Sequence, residues 1–273
     1  MAAYAEDKEL DFLLFKIVAD RGVDFRQYSR KYLKRRIAVR MRANQVNTYL
    51  EYFQLLMNKP AEYEKLFDAL TINVSEFFRN PEAFKAIKII VLPNLIRSKK
   101  EKGSRLIRIW SAGCAGGEEP FSLAILLKEM LREKIDGFHI SIYGTEIDKE
   151  SLNRAEQAEY LPMSLKEVDR HLLTKYFTPV DEKFRVKDEL RELVKFQSHN
   201  LVSDKPLNKI DIILCRNVVI YFSRKLQERL FMDFHNALNR DGFFIMGKVE
   251  TLFGQANNLF KRVDLKEKIF QKL

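Results

Sequence analysis

The chain has 273 residues, 46% apolar and 32% charged, which suffices for one large α/β domain with a small accessory domain, and its longest apolar stretches, Ile87 to Ile96 and Ile210 to Cys215, fall far short of the ~20 residues that span a bilayer. Two cysteines, Cys114 and Cys215, and four scattered histidines lack the spacing of a structural zinc site, so no metal is expected. The net charge of +10 is concentrated: Arg21 to Leu50 carries nine Lys/Arg against one acid, Asp24, which favours an acidic partner. The start, Met1-Ala-Ala-Tyr-Ala-Glu-Asp-Lys, has no basic stretch leading into an apolar run, so a cytoplasmic location is expected.

Residues 1–70 read as an all-helical, basic domain. Leu10, Leu13, Leu14, Ile17 and Val18 recur at helical spacing. A turn at 22–24 follows, and Asp24 is placed to cap a second helix on which Leu33, Ile37 and Met41 stack, with Lys31, Lys34, Arg35 and Arg42 on an adjacent face and Arg36 and Arg40 on the other flank. Two shorter helices are expected near 48–58 and 61–70, separated by Pro60.

From about 105 the rhythm becomes strand, loop, helix. Ile107 to Ala112 is a strand running into Gly113-Cys-Ala-Gly-Gly117, and a helix with Leu123, Ala124, Leu127 and Leu131 on one stripe follows from Pro120. Ile140 to Thr145 is a second strand, ending at Glu146-Ile-Asp148. Ile210 to Cys215 is a buried strand, Ser223 caps a helix to about Asn239, and Phe243 to Gly247 is another strand. This alternation argues for a doubly wound, mostly parallel sheet over 71–273. Tyr176–Thr178, Phe184–Val186 and Leu193–Phe196 read as short antiparallel strands, a subdomain inserted at about 176–197, and the last residues as a closing hairpin.

The loop after the first sheet strand is Gly113-x-x-Gly116-Gly117, and Glu118 and Glu119 follow at once. A pyrophosphate there would meet two carboxylates; a ligand with a cationic amino group and sulfonium suits them better. The competing reading is that these acids complement the helix dipole, and it weighs more for Glu118 than for Glu119. Glu146, at a strand end, is placed to accept ribose hydroxyls; Asp148 is the competitor, though it can simply cap the next helix. In Asn73-Val-Ser-Glu-Phe-Phe-Arg79, Asn73 and Ser75 either bond a ligand or cap a helix, and Arg79 can grip a carboxylate. Arg216 and Asn217 follow a buried strand at the ligand edge, and Tyr221 is either a packed aromatic or part of the site. No nucleophile–base pair is evident. Methyl transfer to a carboxylate needs none, because a glutamate with a pKa of about 4.3 is ionised at neutral pH.

Six motifs in order, Asn73-x-Ser-x-Phe-Phe-Arg79, Trp110-Ser-Ala, Gly117-Glu-Glu-Pro-Phe-Ser122, Thr145-Glu-Ile-Asp148, Asn200-Leu201 and Cys215-Arg-Asn-Val-x-Ile-Tyr-Phe222, resemble CheR, the chemotaxis receptor methyltransferase family, over nearly the whole chain. The resemblance implies a seven-stranded sheet of the S-adenosylmethionine methyltransferase type. It implies a cofactor site formed by Asn73, Ser75, Arg79, Gly113, Glu119, Glu146, Asn200, Leu201, Arg216 and Asn217, with S-adenosylhomocysteine as product. Arg79 and Tyr221 would flank the transfer position. The substrate would be glutamates on the cytoplasmic helices of chemoreceptors, docked on Lys31, Lys34, Arg35, Arg36, Arg40 and Arg42. The protein is expected to act as a monomer, without nucleic acid or membrane insertion. Gly247-Lys-Val-Glu250 departs from the family's Gly-His-Ser-Glu, and no role follows for Lys248 or Val249. The hairpin Pro179-Val-Asp-Glu-Lys-Phe184 lacks the glycine of members that use a receptor-tail tether, so tether independence is expected. The rival readings are a nucleic-acid methyltransferase and a non-catalytic cofactor-sensing module. Against the first, no Asn/Asp-Pro-Pro-Tyr-like motif and no catalytic Cys–Pro pair is present.

Overall fold

A computed structural model describes residues 2–21, 23–71, 75–131 and 137–273, with the side chains of 2–6 and 21 outside the description. The chain forms two compact units, Met1–Ile72 with Tyr221–Gln227, and Asn73–Ile220 with Glu228–Leu273.

The first unit holds α1 (Ala2–Arg21), α2 (Arg30–Ala43), α3 (Tyr49–Asn58) and α4 (Pro60–Leu70). Helical spacing decides what is buried: Leu10, Leu13, Leu14 and Ile17 from α1, Leu33, Ile37 and Met41 from α2. Thr48 and Glu51 form a reciprocal capping box that starts α3, and Pro60 opens α4. Asp24 behaves differently from expectation. Its carboxylate accepts from Arg26 N (3.0 Å) and caps a 3-10 turn, Phe25–Gln27, rather than α2. The backbone just beyond is drawn into extended pairing with 221–223: Ser29 N donates to Tyr221 O, Ser223 N donates to Gln27 O, and Tyr28 bridges Phe222. The helix therefore begins only at Arg30.

Inside this unit Glu62 is 5% exposed and accepts from Arg40 Nε (2.8 Å), Arg40 Nη2 (2.6 Å) and the Tyr52 hydroxyl (2.9 Å). Removing one partner of a buried pair strands the other charge. Arg40→Ala is therefore expected to destabilise the protein by about 3 kcal/mol in urea denaturation; a loss below about 0.5 kcal/mol, the range of an ordinary surface substitution, would refute this.

The second unit is built on a seven-stranded sheet of order β6-β2-β1-β7-β8-β10-β9. The strands are β1 (Leu106–Ala112), β2 (His139–Glu146), β6 (Val194–Ser198), β7 (Ile210–Cys215), β8 (Leu238–Met246), β9 (Phe260–Asp264) and β10 (Ile269–Lys272). The pairs among β6, β2, β1, β7 and β8 are parallel, and β10 runs antiparallel between β8 and β9. The helices of this unit are α5 (Pro81–Ala86), continued through a π-turn at Ile87–Val91 into α6 (Leu92–Glu101), then α7 (Glu118–Leu131), α8 (Lys149–Gln157), α9 (Arg170–Tyr176), α10 (Asp188–Arg191) and α11 (Arg224–Ala237), the last shared between the units. A small antiparallel sheet contains β3 (Glu159–Tyr160), β4 (Phe177–Val180) and β5 (Lys183–Val186) in the order β3-β5-β4.

The expectation of an antiparallel insertion over 176–197 is corrected at both ends. Leu193–Phe196 leads the edge strand of the large sheet, where Val194 pairs with Ile142 and Ser198 with Glu146 in parallel register. An edge strand of a parallel sheet is exposed on one side, so its burial alternates (Val194 buried, Lys195 exposed) and mimics an antiparallel strand. The third strand of the small sheet comes instead from Glu159–Tyr160. No described helix is long and apolar enough to cross a membrane.

Candidate cofactor site

Parallel strands bring the carboxyl ends of β1, β2, β6 and β7 to one edge, and the loops there form the site. After β1, Gly113 takes φ +76°, and its N–H and that of Cys114 both donate to Thr145 O (2.8 and 2.9 Å), tying the glycine loop to the end of β2. A Cβ on Gly113 would lie 2.7 Å from Val218 Cγ2. Gly117 takes φ +88°, where any other residue would be strained and would strike Ala155 and Phe196. Ala115, Phe78, Asn80 and Asn217 are non-glycine residues at φ between 47° and 60°. Such backbone costs about 1–3 kcal/mol per residue and persists only where neighbours hold it in place.

Glu146 holds Ala115. Its carboxylate is 8% exposed and accepts from Ala115 N (3.0 Å), Ile147 N (2.7 Å) and Asp148 N (3.1 Å). Burial pushes this carboxyl up, and the three N–H groups pull it back toward the ionised form. Asp148 Oδ1 accepts from Ser151 N (2.7 Å) and caps α8, as its alternative reading had it.

Glu119 accepts from the Ser111 hydroxyl (2.7 Å) and from Arg216 Nη1 (3.1 Å). The Arg216 side chain is 2% exposed. Its Nη2 also donates to Arg79 O (2.7 Å) and Asn80 Oδ1 (3.1 Å), and the guanidinium lies over the Phe84 ring. Arg216 thus joins β7, the start of α7 and the Phe77–Asn80 segment. Phe78 N donates to the Ser122 hydroxyl (2.9 Å), a second tie between that segment and α7. Glu118 sits in the first turn of α7, but it is 7% exposed instead of solvated; burial pushes its carboxyl up, and a hydrogen bond from Ser75 opposes this.

Beyond β6, Asn200 Oδ1 accepts from Val202 N (2.9 Å) and Asn200 N donates to Asp204 Oδ2 (2.8 Å), an Asx turn that sets the backbone of half-buried Leu201. Arg79 is half-buried, and its carbonyl is held by Arg216. Asn73 lies outside the described residues. Tyr221 belongs to the helical unit, its ring 4.8 Å from that of Tyr32.

Some polar atoms near this edge have no partner among the described residues. Among the described residues Glu118 Oε2 and Asn217 Oδ1 are buried acceptors without a donor, and Arg216 Nε is a buried donor without an acceptor. Acceptors suit an ammonium and a sulfonium, and a guanidinium donor suits a carboxylate. Two carboxylates in the first turn of α7, Glu118 and Glu119, suit a cationic ligand better than a pyrophosphate. Family models agree in both units: residues 8–71 match the CheR methyltransferase all-alpha domain, and residues 73–269 match the CheR methyltransferase SAM-binding domain.

The chain belongs to the CheR methyltransferase family.

S-adenosylmethionine is its cofactor. Relatives of similar length are named as methyltransferases. The chemotaxis protein methyltransferase of Borreliella burgdorferi is 31% identical over 89% of this chain and 88% of its own length. That of Listeria innocua is 30% identical over 92% and 94%. Cher3 of Pseudomonas putida is 33% identical over 97% of both.

The basic side chains of α2 divide into two groups. Arg40 is committed to Glu62, Arg36 Nε donates to Ala69 O (2.5 Å), and Lys34 pairs with Asp7 (2.7 Å). Lys31, Arg35 and Arg42 are exposed, spaced four and seven residues apart on one helix line. Sequence reading missed Glu250. It is 2% exposed and accepts from Val218 N (3.0 Å) and Gly247 N, beneath the Arg216–Asn217 turn. The available signal was a glutamate three residues after a strand-ending glycine, a spacing that lets a side chain fold back onto its own backbone.

His199 adjoins the site, buried with its ring against Trp110, and its backbone N–H donates to Glu146 O (3.0 Å). Burial lowers its pKa from 6.5, and His235 is lowered likewise. A histidine lowered in the fold contributes stability above the unfolded value and loses it as pH falls through 6.5 toward the folded value. Glu118, Glu146 and Glu250, raised by burial, act in the opposite sense as pH falls. The histidine contribution is therefore read as a difference: wild type is expected to lose more thermal stability than His199→Gln between about pH 7 and 5.5. Parallel curves would contradict this.

Proposed function

We propose that this protein transfers the methyl group of S-adenosylmethionine to glutamate side-chain carboxylates on the cytoplasmic helical region of chemoreceptors, giving glutamyl methyl esters and S-adenosylhomocysteine. The observation that carries the reading is the pairing of a cofactor edge suited to a cationic methyl donor with CheR-family domains over both units. The methyl group comes from the cofactor. The nucleophile is the substrate glutamate, ionised at neutral pH with a pKa of about 4.3, so the protein has only to orient that carboxylate and exclude water. Ser75, Arg79, Gly113, Glu119, Glu146, Asn200, Leu201, Arg216 and Asn217, together with Asn73, are assigned to the cofactor. Arg79 and Tyr221 are assigned to the transfer position on the family pattern. The reading places a monomer in the cytoplasm.

Docking is assigned to the exposed line of Lys31, Arg35 and Arg42, which offers positive charge to the acidic surface of a helical bundle. Lys34, Arg36 and Arg40 act behind it, each already held by an internal acceptor. Replacing Lys31, Arg35 and Arg42 together by alanine is expected to slow receptor association on the order of tenfold and flatten its salt dependence, with S-adenosylhomocysteine affinity unchanged. Association kinetics at two salt concentrations, with calorimetry, check this.

Tether independence is part of the proposal. β4 is an edge of the small sheet and pairs with β5 from Val180↔Lys183 to Phe177↔Val186. In a two-residue hairpin the pairs alternate, so Phe177 and Pro179 turn their backbone toward the free side. Pro179 has no N–H, and Phe177 N donates to Leu173 O. An added strand would find no free donor there. Nanomolar binding of an isolated receptor-tail peptide would reject this part. The whole reading is tested by mass spectrometry of a receptor cytoplasmic fragment incubated with enzyme and S-adenosylmethionine: methyl additions on glutamates are expected, and none on any residue would refute it.

A further inference from the structure

We propose that Glu250 is a positioning residue for cofactor binding, an anionic brace that holds Asn217 in the left-handed conformation and so aims its amide and the adjoining Arg216 at the site. The inference rests on S-adenosylmethionine being the ligand of this edge.

Asn217 sits at φ 60°, in the left-handed region, which asparagine enters more readily than most residues but still at a cost. The support lies directly beneath it. Glu250 takes Val218 N on one oxygen and Gly247 N on the other, with a further hydrogen bond from the Asn217 backbone. The three N–H groups belong to two segments, the turn after β7 and the turn after β8, so a single carboxylate locks the ends of two neighbouring strands together. Gly247 is required by the same packing: a Cβ there would lie 2.8 Å from Glu250 Oε2 and 2.9 Å from Asn217 N.

The brace extends in both directions. Val218, held through its N–H, packs against Gly113, where a Cβ would come within 2.7 Å of it, so the Glu250 contacts reach the glycine loop. On the other side Lys248 extends to Glu267, which is 4% exposed, with Nζ 3.5 Å from Oε1. Lys248 thereby pins the 247–250 turn to the hairpin between β9 and β10, while Val249 beside it is 72% exposed. Glu250 is 2% exposed with backbone N–H groups on both oxygens, enclosed beneath the turn. Asn217 Oδ1, by contrast, is buried without a partner among the described residues. Glu250 fixes the backbone, and the Asn217 amide oxygen is left without a partner of its own.

The test is a double-mutant cycle read by calorimetry with S-adenosylhomocysteine on the full chain. Glu250→Gln removes the charge and replaces one acceptor by a donor. Asn217→Gly removes the amide and takes positive φ without a brace. If Glu250 acts through Asn217, Glu250→Gln weakens binding about tenfold or more in the wild-type background and by less than about twofold in Asn217→Gly, a non-additivity typical of residues in contact. A Glu250 whose role is only to stabilise the fold gives losses that multiply across the two backgrounds, and that result overturns the proposal. So does binding by Glu250→Gln within about twofold of wild type. Should Glu250→Gln fail to fold by circular dichroism, Glu250→Asp, one methylene shorter, is read in the same cycle against the same limits.

Discussion

Arg216→Ala is expected to be the most damaging single change in the second unit, reducing stability by about 3–5 kcal/mol and S-adenosylhomocysteine affinity by at least ~100-fold. The Arg216 side chain is almost fully enclosed and serves three acceptors: Glu119, Arg79 O and Asn80 Oδ1. Its removal leaves the Glu119 carboxylate with the Ser111 hydroxyl in place of a charged partner and frees the strained Phe78–Asn80 backbone. Lysine is not expected to rescue it, because a single ammonium cannot reproduce a planar fork that reaches Glu119 with one nitrogen and Arg79 and Asn80 with the other. Urea denaturation and calorimetry read the two effects separately. An Arg216→Ala protein of near-native stability with intact affinity would show that the network is incidental.

The second large effect belongs to Glu146. Glu146→Ala is expected to weaken S-adenosylhomocysteine binding by about 1–3 kcal/mol, roughly 5- to 150-fold. Two losses combine: the ribose acceptor proposed above, and the anchor of Ala115 N, which keeps the glycine loop in its strained form. Asp148→Ala is the matched control. Asp148 caps α8 through Ser151 N, so its loss is expected to cost about 1 kcal/mol of stability and leave affinity unchanged. The reverse pattern in calorimetry would transfer the ribose role to Asp148.

Much of this fold is legible in the sequence because its signals are local. The period of Leu33, Ile37 and Met41 gives the buried face of α2, and Gly113 and Gly117 mark a turn that tolerates no side chain. The strand ending at Glu146 reads directly because it is apolar and bounded by a helix cap. What escaped depends on partners distant in sequence. The 194–198 strand alternates as an antiparallel strand does, and only its pairing with β2 assigns it to the large sheet. Asp24 carries a sound helix-cap signal, yet pairing of residues 27–29 with 221–223 delays the helix. In the site, residue types and order point to the cofactor, but the roles within the set differ in kind. Glu119 and Arg216 bond each other, Asn200 folds its own turn, and Arg40 serves Glu62. A sequence cannot say whether a charged side chain faces a ligand or a neighbour when both lie at the same strand edge. Glu250 shows the converse, a buried carboxylate with no sequence signature beyond its spacing from Gly247.

The most direct test of the central claim follows the methyl group itself. The protein is incubated with tritiated S-adenosylmethionine, a receptor cytoplasmic fragment, and RNA and DNA in the same tube. Label in the protein fraction that is released as methanol by mild base is the expected result, since a glutamyl methyl ester hydrolyses there and an N-methyl group does not. Label in the nucleic acid, or base-stable label in the protein, would contradict the assignment.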